Sequence, residues 1–138
     1  MGRTRTILLA DDEPQLREAM ATALRRKGYR VIDTDDGADA VRLSADEPPD
    51  LAVVDMMLPG ASGFRVAQAV KIATDGRAPV VMVSANSSDV HRDYAFATGV
   101  DQFLAKPFAL GALVDLVAEL CPPPGGSRAL SVAAALRT

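Results

Sequence analysis

The chain is short of the features that most quickly assign a protein to a class. Cys121 is its only cysteine, so no intrachain disulfide can form and nothing points to an oxidising compartment. No apolar run approaches the roughly 20 residues that a bilayer-spanning helix needs. The opening Met1-Gly2-Arg3-Thr4-Arg5 lacks the apolar core of a secretory signal. A cytoplasmic setting without membrane contact is the expectation. Positive charge is not in excess: 15 Lys+Arg stand against 18 Asp+Glu, a net charge of -3. Arg3, Arg5 and the pair Arg25-Arg26 are too scattered for a polyanion-binding patch, so no nucleic-acid partner is expected. There is no internal repeat of solenoid period, and Pro122-Pro123-Pro124-Gly125-Gly126 is the one low-complexity stretch.

The chain does have enough apolar material for one core. At 138 residues and 49% hydrophobic content it reads as a single globular domain. Short apolar runs alternate with amphipathic stretches five times over, the pattern of a parallel sheet covered by helices on both faces. The runs are Thr6 to Ala10, Arg30 to Thr34, Leu51 to Val54, Val80 to Val83 and Gln102 to Ala105. Several are too continuously apolar for a half-exposed strand. Helices are expected over Pro14 to Lys27, Gly37 to Asp46, Gly63 to just before Asp75-Gly76, Ser88 to Thr98, and Leu110 to Cys121. Pro14 suits a first helical turn, and Leu16, Met20, Ala23 and Leu24 recur at helical spacing behind it. The third helix carries Phe64, Val66, Ala67, Val70 and Ile72. The fourth is the weakest and is expected to be the most mobile. The Pro/Gly stretch stops the last helix, so residues 1–121 form the domain and 122–138 a linker and tail with room for about two turns of helix.

Polar residues fall at one edge of this arrangement. Asp11 and Asp12 follow the first strand, Asp55 the third, Ser84 the fourth and Lys106 the fifth. That carboxyl edge is where doubly wound sheets bind ligands. Taken singly each has a bland reading: a helix cap for Asp11, Asp12 or Ser84, a turn residue for Asp55, a solvated lysine for Lys106. Their joint placement in four of five strands is what argues for a site. Three carboxylates brought together repel and push at least one pKa upward, a conflict that a divalent cation removes. An all-oxygen acidic site open to water suits Mg2+. Lys106 supplies a point positive charge that can pair first with Asp55 and later with a phosphoryl oxygen, and the Ser84 hydroxyl can donate to the same group.

Through Ile7-Leu8-Leu9-Ala10-Asp11-Asp12-Glu13-Pro14, Val53-Val54-Asp55-Met56-Met57-Leu58-Pro59-Gly60, Val83-Ser84-Ala85 and Phe103-Leu104-Ala105-Lys106-Pro107-Phe108, the chain resembles the response-regulator receiver family of two-component signalling. The likeness covers about Thr6 to Cys121. It implies a flavodoxin-like (βα)5 fold with strand order 2-1-3-4-5 and a phosphoprotein rather than an enzyme, one that catalyses only its own phosphorylation and dephosphorylation. Asp55 would be the phosphoacceptor, Asp12 a direct metal ligand, Asp11 a ligand mainly through water, and the Met57 carbonyl the remaining protein ligand. Ser84 would move toward the phosphoryl group and Phe103 would swing inward with it. Lys106-Pro107 would be a cis peptide. The implied donor is a sensor histidine kinase or histidine phosphotransfer protein. The implied readout is an effector, or a second copy, bound to the face of the fourth helix, fifth strand and fifth helix. Ser84 stands where most members have Thr, and the loop Gly60-Ala61-Ser62-Gly63 has Ser where many have Asp; neither removes a needed group.

Three other readings compete. An aspartate-nucleophile phosphatase of the haloacid-dehalogenase type also sets Asp at a strand end, but it needs a second Asp two residues on as general acid. That position is Met57. A flavin-binding module would want a neutral loop after the first strand to hold a phosphate, and Asp11-Asp12-Glu13 would repel it. A receiver-shaped module that has lost phosphorylation would have lost the acidic pair, the acceptor or the lysine, and all are present. His91, the single histidine, sits early in an amphipathic helix and reads as a surface residue without a role.

Overall fold

The computed structural model describes residues 3–86 and 88–124. The elements run β1 (Thr6–Ala10), α1 (Pro14–Arg26), β2 (Arg30–Thr34), α2 (Gly37–Asp46), β3 (Leu51–Asp55), α3 (Gly63–Ala73), β4 (Val80–Ser84), α4 (Asp89–Ala97), β5 (Gln102–Ala105) and α5 (Leu110–Leu120). The strands form one parallel sheet in the order β2-β1-β3-β4-β5, the five-stranded receiver topology.

Burial explains the order. Every residue of β3 and β4 is buried, whereas β2 and β5 each carry exposed and half-buried positions, as edge strands do. Along β1, β3 and β4 successive side chains point to opposite faces. Leu8, Val54 and Met82 join Val66, Ala67 and Val70 of α3 and Ala95 of α4 in one hydrophobic layer. Ile7, Val53 and Val81 join Met20 and Leu24 of α1 and Leu113 and Val117 of α5 in the other. Side chains of Asp36, Ser62 and Ser88 accept the early N–H groups of α2, α3 and α4, which fixes where those helices start.

The structure differs from the sequence expectation at element ends. β3 and β4 each run one residue further, so Asp55 and Ser84 are the last strand residues rather than the first loop residues. The ladder carries on because Asp55 pairs in register with Val83 and Ser84 with Ala105. Ser88 is the cap of α4 rather than part of it, and α1 and α5 stop one residue short, at Arg26 and Leu120. Ile72, one of the apolar residues that α3 carries, is exposed, since it lies off the stripe formed by Val66, Ala67 and Val70. The tail expected to be helical, 127–138, lies outside the described residues. No helix among the described residues is long and apolar enough to cross a membrane.

Candidate functional site

The strand ends bring the expected residues together. One carboxylate oxygen each from Asp11, Asp12 and Asp55 lies within 4.8 Å of the others. Asp11 and Asp55 are buried and Asp12 is exposed, so the cluster opens to water on one side. Local backbone hydrogen bonds set its shape. The Glu13 N–H donates to Asp11 Oδ1 at 2.9 Å and the Met57 N–H to Asp55 Oδ1 at 3.2 Å. Arg17 of α1 donates to the Asp11 carbonyl at 3.0 Å and bonds Asp33 at 3.2 Å, pinning the loop from behind. The turn after β3 closes tightly, with the Gly63 N–H on the Met56 carbonyl at 2.9 Å. A Cβ at Gly63 would stand 2.2 Å from the Asp55 carbonyl oxygen, so only glycine lets α3 start this close to the acceptor.

Lys106 enters from the far side of the sheet. Its backbone N–H is held by the Ser84 carbonyl at 2.9 Å, and the Lys106-Pro107 peptide is cis, as expected. The ammonium stands 3.1 Å from Asp55 Oδ2, 3.1 Å from Asp11 Oδ2 and 2.8 Å from Glu13 Oε1. Burial alone would lower the pKa of Lys106, but the neighbouring carboxylates of Glu13, Asp11 and Asp55 overcome it and hold the ammonium well above the ordinary lysine value. For Asp55 the balance goes the other way. Burial raises its carboxyl pKa, the Lys106 and Met57 hydrogen bonds pull it down, and the net displacement is upward.

The donor set fits a hard divalent cation. Buried Asp11 Oδ2 has no hydrogen-bond partner among the described residues; Lys106 is within ion-pair distance but off the line of a hydrogen bond. A buried carboxylate oxygen left this way is costly unless something else fills its lone pairs. Oxygen donors alone, one side open to water and no thiol or imidazole are the conditions for magnesium. The Met57 side chain is 69% exposed and its thioether carries no proton, so the general acid required of a phosphatase is absent from that position.

Ser84 and Phe103 lie behind the carboxylates. Buried Ser84 accepts the Asn86 N–H on Oγ at 2.9 Å, and so is engaged with the loop leading to α4. Phe103 is 9% exposed and packs in the layer with Met82 and Ala95, with the Arg92 guanidinium 5.7 Å from its ring centroid. The ring already occupies the inward position, a correction to the outward one expected before phosphorylation. It packs in the apolar layer under α4, and burial of an aromatic is favourable. His91 sits half-buried against the Ser88 hydroxyl, away from the carboxylates. Glu13 is the site residue that the sequence reading left without a role. Its one signal was a third acid directly after the acidic pair.

Comparison with known proteins agrees with this geometry. The family profile described as the response regulator receiver domain matches residues 7–118. The chain is 35% identical over 118 residues, 85% of its length, to the response regulator GtcR of Aneurinibacillus migulanus. It is 34% identical over 113 residues, 80% of its length, to the phosphate regulon transcriptional regulatory protein PhoB of Pseudomonas aeruginosa. The match spans 48% of each of these two proteins, so the chain covers about half the length of the curated relatives it resembles. Among solved structures, it superposes with a TM-score of 0.75 and 28% identity on the receiver domain of a sensor histidine kinase from Pseudomonas aeruginosa, solved with a magnesium ion in its active site cleft. That superposition covers 86% of this chain and 98% of the other. With the acidic cluster, the lysine and the strand order all in place, the chain belongs to the response regulator receiver domain family of two-component signalling.

Proposed function

We propose that Asp55 accepts a phosphoryl group from a sensor histidine kinase or a histidine phosphotransfer protein and that the chain changes shape in response, in the cytoplasm. The observation that carries this reading is the Asp55 carboxylate at the end of β3, 3.1 Å from the Lys106 ammonium and clustered with Asp11 and Asp12. An Asp55 carboxylate oxygen attacks phosphorus, the bond from phosphorus to the donor's imidazole nitrogen breaks, and that nitrogen keeps the electron pair. Such a transfer needs positioning and charge neutralisation more than covalent help. Lys106 neutralises one phosphoryl oxygen and the Ser84 hydroxyl can donate to another. Asp12, Asp55 and the Met57 carbonyl would hold Mg2+ directly and Asp11 through water. The cation supplies charge neutralisation to the phosphoryl group.

The chain's only catalysis is then of its own phosphorylation and dephosphorylation. Readout follows from Ser84: turning its hydroxyl to a phosphoryl oxygen gives up the Asn86 N–H, freeing the loop before α4 to move. The face made by α4, β5 and α5 is where an effector or a second copy would sense the change. Residues 1–121 act as the receiver, with 122–138 as linker and tail. Net charge and scattered arginines argue against nucleic-acid binding by the receiver itself. Any such contact would belong to the parts of the longer relatives that the match does not span.

Incubation with magnesium and a small phosphodonor, followed by intact mass and site mapping, tests the reading. One acid-labile phosphoryl group on Asp55 is expected. Labelling elsewhere, or none, would overturn it. The Ser84→Ala protein should still take up the group on Asp55 but show little of the wild-type shift in α4 and β5 amide resonances.

A further inference from the structure

Glu13 occupies the N-cap position of α1, yet its side chain makes no capping hydrogen bond. It reaches instead to the Lys106 ammonium at 2.8 Å, the shortest of that group's three carboxylate contacts. Its own N–H is tied to Asp11 Oδ1, so its backbone moves with the acidic pair. Lys106 is anchored at its other end by its N–H on the Ser84 carbonyl. In the sheet order, β3 and β4 lie between β1 and β5. The Glu13–Lys106 pair therefore bridges the carboxyl ends of β1 and β5 across β3 and β4, with Asp55 on the same ammonium.

We infer that Glu13 is a positioning residue, whose carboxylate holds the Lys106 ammonium over Asp55 before a phosphoryl group arrives. This rests on the phosphoacceptor reading of Asp55. Lysine ends a flexible four-carbon stem, and fixing it in advance removes an ordering cost from the transfer step. Asp11 and Asp55 cannot do this throughout the reaction. Asp55 becomes the phosphorylated group and Asp11 turns to the cation, while Glu13 keeps its hold. Glu13 is 58% exposed on its side chain against 9% for Lys106, so the contact orients a buried cation from the rim without being part of the core.

The test compares wild type with Glu13→Ala and Glu13→Gln, the second keeping an oxygen acceptor while losing the charge. A pair with one partner at the exposed rim is worth about 1 kcal/mol, so Glu13→Ala should slow phosphorylation by a small donor at saturating magnesium by about fivefold. Glu13→Gln should recover most of the rate, and both variants should keep wild-type magnesium affinity and thermal midpoint. The Lys106 15N ammonium resonance should be sharp in wild type and Glu13→Gln and exchange-broadened in Glu13→Ala. Equal rates in all three proteins would overturn the inference. So would a Gln variant as slow as Ala with weakened magnesium binding, which would mean that Glu13 acts only as bulk negative charge. If wild type takes up no phosphoryl group, the phosphoacceptor reading fails by itself; the ammonium resonance then decides the Glu13–Lys106 contact, an unchanged signal in Glu13→Ala overturning it.

Discussion

Asp50 and Asp55 bracket the same strand, and their carboxyl groups are driven in opposite directions. Asp50, just before β3, is drawn up by burial but pulled below the ordinary value by Arg3, by the Thr6 N–H and by Arg5. Its Oδ2 accepts the Thr6 N–H at 2.7 Å, and Arg3 pairs with both of its oxygens. Asp55, at the other end, has burial as its largest influence and ends above the ordinary value despite Lys106. Residue type and strand are shared, so the difference lies in what each end supplies. The amino end closes its carboxylate into the fold by tying β1 to the start of β3. The carboxyl end gathers further carboxylates around a single lysine and leaves lone pairs open. The first arrangement stabilises the fold, and the second holds a reactive group ready at some cost to it.

The largest effect that separates the two ends is chemical. Asp55→Asn should abolish magnesium-dependent phosphoryl uptake, whereas Asp50→Asn should leave it intact, both read by intact mass after exposure to a phosphodonor. Loss of labelling in the Asp50 variant, with its fold verified by circular dichroism, would erase the distinction.

Stability should divide the same pair with opposite sign. Asp50→Ala strands the Thr6 N–H and frees Arg3, and should cost about 2 kcal/mol in urea unfolding. Asp55→Asn, in buffer with chelator, should stabilise the protein by on the order of 1 kcal/mol. A neutral amide avoids the burial penalty and the repulsion from Asp11, while Lys106 keeps two of its three partners. A destabilised Asp55→Asn protein would show that Lys106 more than offsets the strain at this end.

Only the Asp55 end of this contrast was legible in the sequence. The strands stood out because burial on both faces leaves continuous apolar runs, and the carboxyl-edge residues stood out because they fall at the ends of those runs. The last ladder residue was not legible: a polar Asp55 or Ser84 looks like the first loop residue, and only register with Val83 and Ala105 says otherwise. Ile72 could not be assigned to either face of α3, because helical spacing identifies a stripe without fixing its edges. Glu13 was silent for a different reason. A Glu at a helix start reads as a cap or a solvated acid, and its partner is 93 residues away in the chain, where no local pattern reaches. Asp50 was equally silent, since Pro48-Pro49-Asp50 reads as an ordinary turn until Arg3 and Thr6 are seen beside it.

The smallest effect is the pH dependence that the two carboxyls impose on the metal-free protein, and its sign can be worked out for each. The folded pKa of Asp50 is depressed, so its contribution is fully present above the unfolded value of 3.8 and is lost as pH falls through the folded value. The folded pKa of Asp55 is raised, so the folded state holds that proton more tightly. Stability is therefore lost as pH climbs from 3.8 through the raised value, and the loss persists at neutral pH. Relative to wild type, Asp55→Asn should gain stability progressively as pH rises from 3.8 through that window. Asp50→Asn should lose its deficit only on the acid side, below 3.8. Urea midpoints taken at intervals from acid to neutral pH, with chelator throughout, would show two difference curves departing from zero in opposite directions. Curves of the same sign would mean that Lys106 outweighs burial at Asp55 and that both ends of β3 use their carboxylates to hold the fold.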